Sequence, residues 1–469
     1  MFRDNDDMTL EITDDLIARQ PPEAQAIIRL LLERIRALEE RLGQTPHNSS
    51  LPPSSQHPHA KLPRSKPKSR RRPGGQPGHA KYERSLLPTE RCDLVFPLRP
   101  HACRRCGTAL AGDDAQPLRH QVWEVPEIRP HVTEYQRHRL ACPCCGERTC
   151  APLPVGVSQG QAGPRLVGFA GLLMAYFRQS KRRTAAFLTL LLGQPCSPAW
   201  VLKLRDQVSA AVQPACAELA AALPQQPRLG IDESPTKQGK VRAWLWVCVA
   251  AGFTVFALRL TRARTVLDEL LTGNFAGVVS CDRAKMYWSL GRLQWCWAHL
   301  KRDFQALADS PDGQAKRLGH DLLRQTRELL RLWARCRDGT LARAAFQEHM
   351  RPLRRAVEGL LLRGLCSGNP RLQGMCDELW QHREWLWTFV ACEGVEPTNN
   401  ASERALRHAV IWRKLSFGTQ SASGSRFVER LLSVIETCRQ QSRNVFAYVV
   451  DAVKALWAGQ PAPSLLPGV

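Results

Sequence analysis

Three carboxylates and two cysteine pairs are the side chains in this sequence best suited to chemistry. Asp232, in Gly230-Ile231-Asp232-Glu233-Ser234, closes one predicted strand, and Asp282 closes another that starts near Gly277. Acidic side chains at adjacent strand ends of a mixed sheet can converge on hard cations such as Mg²⁺ or Mn²⁺. Two such ions about 3.5–4 Å apart would activate a nucleophile and stabilise the leaving oxygen of a phosphodiester. Glu403, in Asn399-Asn400-Ala401-Ser402-Glu403-Arg404, is the candidate third carboxylate. Its helix also carries Arg404, Arg407, Arg413 and Lys414, cations that suit the phosphates flanking a scissile bond. Other roles stay open for all three. Asn400 and Glu403 have capping-box spacing, Asp232 and Asp282 suit turns after strands, and Glu233 competes with Asp232 as a ligand.

Cys103-Arg104-Arg105-Cys106-Gly107 and Cys142-Pro143-Cys144-Cys145-Gly146 are two knuckles of the form Cys-x-x-Cys-Gly. Four soft ligands in a tetrahedron suit Zn²⁺, and a glycine after each pair permits the tight turn. The expectation is one structural zinc on Cys103, Cys106, Cys142 and Cys145. Cys144 reads as a spectator that could replace a neighbour. Four thiolates leave no open position for water, which argues against a catalytic zinc.

The elements that must position these groups can be read from texture. Strand, hairpin (243–251 with 253–260), helix (264–271) and two more strands (277–282 and 293–298) describe an α/β core with a mixed sheet. Residues 305–390 turn helical and Arg/Leu-rich, and a last helical block runs from Asn400 to about Leu456. Upstream, 156–225 reads as helices. A break at Gly193-Gln194-Pro195-Cys196 and a Ser197-Pro198 start resemble a helix-turn-helix, whose second helix would present Trp200, Lys203 and Arg205 to DNA.

Near the start, Ile28, Leu31, Ile35, Leu38 and Leu42 alternate spacings of three and four, a short zipper or an amphipathic helix docked on its own domain. Between Thr45 and Arg84, nine basic residues, Arg70, Arg71 and Arg72 among them, face one acid. So polar a stretch should be disordered when free and suits non-specific phosphate contact.

Composition sets the partner class. The 469 residues carry a formal net charge of +23, which predicts a polyanion: nucleic acid or an anionic membrane surface. The longest uncharged apolar stretch, Ala243–Leu258, is shorter than the ~20 residues a spanning helix needs. Met1–Asp15 carries six acidic residues and one Arg, unlike a signal peptide. Clustered cysteines without an export signal point to metal rather than disulfides. The expectation is a soluble, intracellular, nucleic-acid-bound protein with no membrane role.

Several motifs together resemble the IS66 family of bacterial insertion-sequence transposases. Asn48-Ser49-Ser50-Leu51-Pro52-Pro53-Ser54-Ser55 and Gly74-Gly75-Gln76-Pro77-Gly78-His79 look like its N-terminal signature, followed by its double-Cys segment. Gly230-Ile231-Asp232-Glu233-Ser234 is similar to its first-aspartate motif, with Ser234 where Thr is usual, and Trp244-Leu245-Trp246-Val247 to the next strand. Cys296-Trp297-Ala298-His299-Leu300-Lys301-Arg302-Asp303-Phe304, Asn399 to Arg404, and Arg413-Lys414-Leu415-Ser416-Phe417-Gly418 with Gly424 complete the series. Two departures stand out. Asp282-Arg283-Ala284-Lys285-Met286-Tyr287 replaces Asp-Gly-Tyr, and Thr398 replaces Asp.

The resemblance implies that Asp232, Asp282 and Glu403 are the DDE triad of an RNase H-like domain, interrupted by the helical insertion. It implies metal-assisted cleavage at an element's end and transfer of the freed 3′-OH into target DNA. His299 would contact DNA or support the sheet, and Cys296 would be core. Further implications are a homodimer or larger assembly, small accessory proteins from the same element, and a bacterial, cytoplasmic, nucleoid-associated location. The expected organisation is a helix or coiled coil (1–45), a basic linker (46–90), a zinc module (91–155), a helical DNA-binding segment (156–225), a catalytic domain (226–445) with its insertion at 305–395, and a C-terminal helix and tail (446–469). Competing readings are an RNase H-like nuclease or recombinase without strand transfer, and a catalytically relict zinc-containing DNA-binding regulator.

Overall fold

The computed structural model describes residues 14–42, 44–45, 48–49, 78, 85–193, 195–273 and 275–468. Arg70, Arg71 and Arg72, with most of the predicted basic tether, lie outside the described residues. The chain divides into two compact units, His59–Val132 and Met1–Pro58 with Thr133–Val469. In the smaller unit, an antiparallel bridge between Ala102 and Ala109 closes the first cysteine knuckle.

The larger unit begins with α1 (Asp14–Ala18) and α2 (Pro22–Leu42). Leu31, Ile35, Leu38 and Leu42 on α2 are each at least half exposed (50–85%) among the described residues, while Ile28 is partly buried. Strands β1 (Arg139–Ala141) and β2 (Arg148–Cys150) form a hairpin with the second knuckle at its tip. Helices α3 (Pro164–Ala175), α4 (Lys181–Leu192), α5 (Pro198–Ala211) and α6 (Gln213–Ala221) follow. The Ser197 hydroxyl accepts the Trp200 N–H at the start of α5, the cap expected from Ser-Pro.

Strands β3 (Arg228–Gln238), β4 (Val241–Val249), β5 (Thr254–Arg259), β6 (Val278–Cys281) and β7 (Leu293–Trp295) make one sheet of order β5-β4-β3-β6-β7, with α7 (Thr265–Leu271) between β5 and β6. β3 to β5 are antiparallel, and β6 and β7 run parallel to β3. Two boundaries differ from expectation. β3 continues six residues beyond Asp232, because its antiparallel pairing with β4 persists after its pairing with β6 stops at Gly230. The last strand ends at Trp295, and the next helix starts at Trp297, which moves Ala298 off the sheet.

Both faces of the sheet are covered, which explains the unbroken apolar run of β4 and β5. Trp246, Cys248, Val255 and Ala257 enter the main core, while Leu245, Val247, Phe256 and Leu258 face α13 (Asn400–Ser416) and α14 (Ala422–Gln440). α15 (Val445–Trp457) packs on α3 and α5, so the helices before and after the sheet form one layer. After α8 (Trp297–Ala308), the helices expected over about 305–395 are α9 (Gly313–Arg337), α10 (Arg343–Leu365), α11 (Pro370–Gln381) and α12 (Thr388–Ala391).

Both sheet edges are closed by side chains. Along β5 the N–H groups of Thr254, Phe256 and Leu258 donate to Thr437 Oγ1 (3.0 Å), Ser433 Oγ (2.8 Å) and Glu429 Oε2 (2.8 Å). These α14 residues recur every fourth position, one per turn, and match alternate strand residues. Along β7, Gln294 Oε1 accepts the Phe389 N–H (2.8 Å) and Thr388 Oγ1 donates to Leu293 O (2.5 Å), which ties the end of the insertion to the sheet. Among the described residues, no helix is long and apolar enough to cross a membrane. Replacing Ser433 with Ala would leave the Phe256 N–H buried without an acceptor. The expected loss is about 1–3 kcal/mol in urea unfolding at constant m-value; an unchanged midpoint would contradict this role.

Candidate active site

The register places two aspartates together. β3 and β6 pair Gly230 with Ser280, so Asp232 and Asp282, each two residues further along, lie level. β6 and β7 pair Cys281 with Trp295, which brings Cys296 level with Asp282. Side chains alternate faces along a strand, and this separates Asp232 from Glu233. Asp232 sits opposite Val247 and shares the α13 face, whereas Glu233 sits opposite Trp246 on the other. There Glu233 accepts from the Tyr287 hydroxyl and from Arg262 Nε (2.6 Å).

Glu403 reaches the same place from α13. Asn399 Nδ2 donates to Ile231 O (2.7 Å), and the Asn399 N–H points at Cys296 Sγ (3.2 Å). Ser402 is fully buried against β3, and a Cβ at Gly230 would stand 2.5 Å from its Oγ. Only glycine admits the helix end this closely. The capping box considered for Glu403 is not formed: Asn399 is the N-cap, it makes no side-chain cap, and Glu403 Oε1 has no hydrogen-bond partner. Downstream, Thr419 N–H donates to Lys237 O (2.9 Å), and a Cβ at Gly418 (φ +103°) would stand 2.5 Å from that oxygen. The Gly418 motif thus fastens the far end of α13 to β3.

The carboxylates are mutually repulsive and poorly neutralised. Burial raises the Asp232 pKa well above the usual range, and the charges of Glu233, Asp282 and Glu403 add to it. Burial likewise raises Glu403, opposed by Arg302 and Arg407. The nearest cations stand off: Arg262 Nη2 is 3.9 Å from Asp282 Oδ2, and Arg302 Nη2 is 3.8 Å from Glu403 Oε1. Undercompensated acidic oxygens of this kind are a donor set that fits hard divalent cations.

His299 lies on α8 with Nδ1 3.6 Å from Glu403 Oε1, facing the carboxylates. Burial, then Arg302, lowers its pKa to about 4, so the ring is neutral at neutral pH. Sequence reading did not single out Asn399, Ser402, Arg262 or Tyr287; three of these lie in or beside the quoted motifs, where a position's partner is invisible.

Residues 160–426, more than half of the chain, match the description "Transposase IS66 family". The chain belongs to the IS66 transposase family. Residues 100–146 match the zinc-finger binding domain of transposase IS66, and residues 12–85 a family of unknown function, DUF6444. The chain is similar to the uncharacterized protein y4qI of Sinorhizobium fredii (strain NBRC 101917 / NGR234), at 23% identity over 257 residues. That match covers 50% of this chain and 47% of the relative, so the chain spans about half of the relative's length.

Each knuckle of this IS66 protein is formed within its own unit. Gly107 N–H donates to Cys103 O and Gly146 N–H to Cys142 O (both 2.9 Å), with φ of +73° and +74° at the glycines. Hydrogen bonds from Thr108, then Cys103, lower the Cys106 thiol to about 7. The N–H groups of Cys145 and Cys144 lower Cys142. One thiol in each knuckle is thus shifted towards thiolate, the form that binds zinc. Of the basic residues expected on DNA, Lys203, Arg404, Arg407 and Lys414 are exposed. Arg205 is paired with Asp206 (2.5 Å), and Arg413 donates to Ser234 Oγ (3.1 Å) and to Pro235 O, a tie between α13 and β3.

A raised Asp232 pKa means that the folded protein binds this proton more tightly than the unfolded chain. Its contribution to stability therefore falls as pH rises from the ordinary aspartate range towards the elevated value. Asp232→Asn should melt a few °C above wild type at neutral pH, with the gap closing near pH 4. Mg²⁺ should raise the wild-type Tm and leave the variant nearly unchanged. Identical melting of the two proteins at both pH values would contradict the assignment.

Proposed function

We infer that this chain is a DDE transposase that binds the ends of its insertion sequence, frees a 3′-OH there and joins it to target DNA. The observation that carries the reading is the convergence of Asp232, Asp282 and Glu403 at one end of a mixed sheet, with too little positive charge beside them. An RNase H-like core is the implied fold, and the mixed sheet with a helical insertion before α13 supports it. Two divalent ions held by these three carboxylates would supply charge neutralisation at the attacking and leaving oxygens.

The chain's own residues do the positioning. Asp232 and Asp282 are fixed by strand register, and Glu403 by Asn399, Ser402 and Gly230. Arg404, Arg407 and Lys414, exposed along α13, would hold the phosphates of the bound strand. Lys203 and the 61–84 basic tether would add non-specific phosphate contact. Positioning and charge stabilisation account for most of the catalysis in phosphoryl transfer. Cys103, Cys106, Cys142 and Cys145 would hold one structural zinc, and the half-exposed apolar stripe of α2 would pair with a second copy so that two ends meet in one complex. Small accessory proteins of the same element would join that assembly in the bacterial cytoplasm, at the nucleoid.

Protein, Mg²⁺ and labelled DNA flanking the gene should give nicks at the element ends and joining of the labelled 3′-OH to plasmid. Asp232→Ala, Asp282→Ala and Glu403→Gln should each lower cleavage by at least roughly 10³-fold while end binding stays within a few-fold. Hydrolysis without joining would indicate a nuclease, and binding without any metal-dependent cleavage a relict regulator. Cys103→Ser should lower bound zinc by about one ion per chain in elemental analysis; unchanged zinc would remove this knuckle from the site.

A further inference from the structure

Glu403 belongs to a second constellation of different chemistry. One ligand atom from each of Cys296, His299 and Glu403 lies within 4.8 Å of the other two. Cys296 and His299 are three residues apart at the start of α8, so one turn of helix brings both to the same side. His299 Nδ1 and Glu403 Oε1 face one another at 3.6 Å, beyond hydrogen-bond range, and neither has a hydrogen-bond partner among the described residues. Two ligands bound at 2.0–2.2 Å with tetrahedral angles stand about 3.4 Å apart, so the His299–Glu403 pair needs only a slight contraction to share an ion.

We propose that Cys296, His299 and Glu403 form a site for a borderline-soft cation, Zn²⁺ or its mimic Co²⁺. A thiolate and an imidazole select such ions over Mg²⁺, which prefers oxygen alone. On binding, the Cys296 thiol releases its proton to solvent, and the thiolate and carboxylate together neutralise the ion. The side chains border solvent, His299 at 23% and Glu403 at 36% exposed, while the facing atoms Nδ1 and Oε1 and the Cys296 sulfur lie just beneath the surface. A fourth position remains for water. Because Glu403 Oε1 bound to this ion is lost to the carboxylate set, and the ion's charge repels a second cation beside it, filling the site disfavours Mg²⁺ at Glu403. That last consequence rests on the transposase reading; the site itself does not.

The test uses the full-length protein with its finger already zinc-loaded, titrated with Co²⁺ in the absence of DNA. One further Co²⁺ per chain is expected, with a thiolate-to-cobalt band in the near ultraviolet and tetrahedral absorption in the visible. Cys296→Ser should abolish the new band. His299→Ala, a milder change in a half-buried position, should weaken Co²⁺ binding by at least about tenfold, the scale on which even outer-shell changes act. Uptake of no further ion, or a band unchanged in both variants, overturns the proposal. In a second arm, Zn²⁺ at concentrations that fill the site should suppress Mg²⁺-dependent cleavage by wild type. Undiminished cleavage with the site filled overturns the exclusion of Mg²⁺ from Glu403. Absence of cleavage at any metal concentration, with the cobalt band intact, would count against the transposase reading and leave the metal site standing.

Discussion

The approach of the α13 N-terminus to β3 is the contact on which the candidate site depends. Glu403 stands about 120 residues after Asp282 in sequence, and no local rule connects them. What does is a short list of contacts: the Asn399 amide on Ile231 O, buried Ser402 against Gly230, and the Asn399 N–H towards Cys296. Each is intolerant of change. A side chain at Gly230 overlaps Ser402, and interiors do not yield by more than a few tenths of an ångström without cost. Asn399 turns its Nδ2 to the strand and makes no side-chain cap to its own helix, at a backbone conformation (φ −91°, ψ 28°) outside the extended region usual for an N-cap. Arg413 and Gly418 hold the other end of the helix, so α13 is pinned at both ends rather than laid loosely on the sheet.

A sheet of five strands that must hold α13 this accurately needs fixed edges. On β5 the outward N–H groups are taken by Thr437, Ser433 and Glu429, and this also excludes edge-to-edge pairing there. On β7 the edge is taken by Gln294, Thr388 and Phe389, which is how the insertion α9–α12 returns to the fold. Arg283 adds a tie from the Asp282 loop to Asp303 on α8 (2.9 Å) and Glu378 on α11 (3.0 Å). The departure from Asp-Gly-Tyr at this position thus has a physical role in this chain: a guanidinium that fastens the second aspartate's loop to the insertion.

Much of this was legible because periodicity reports burial. The hairpin, α7, the insertion and the last helices follow from apolar spacing, and Ser197-Pro198 marked its helix start. The end of β3 was not legible, since Asp and Glu read as strand breakers while their partners on β4 are invisible in sequence. The choice between Asp232 and Glu233 could have been made by parity: Gly230, Asp232 and Ser234 share one face, and all three meet α13. Cations were the least legible class. Arg205 and Arg413 resemble their exposed neighbours in sequence, yet one is paired with Asp206 and the other hydrogen-bonded to β3.

That distribution of cations bears on how the site works. Glu233, on the face away from α13, is saturated: Arg262 and Tyr287 bond it directly. Asp282 and Glu403 receive arginines only at 3.8–3.9 Å, too long for a hydrogen bond. Closer arginines would stabilise the fold and occupy the oxygens. At this distance Arg302 opposes the burial that raises Glu403, yet leaves the lone pairs open. The folded chain therefore retains a concentration of negative charge that a bound cation would relieve. Such a site is destabilising by itself and binds metal the more strongly for that reason, so stability forgone in the free protein becomes affinity in the loaded one. The excess of +23 elsewhere on the chain does not cancel this local deficit, because at physiological salt a charge further than about 8 Å is largely screened unless it is buried.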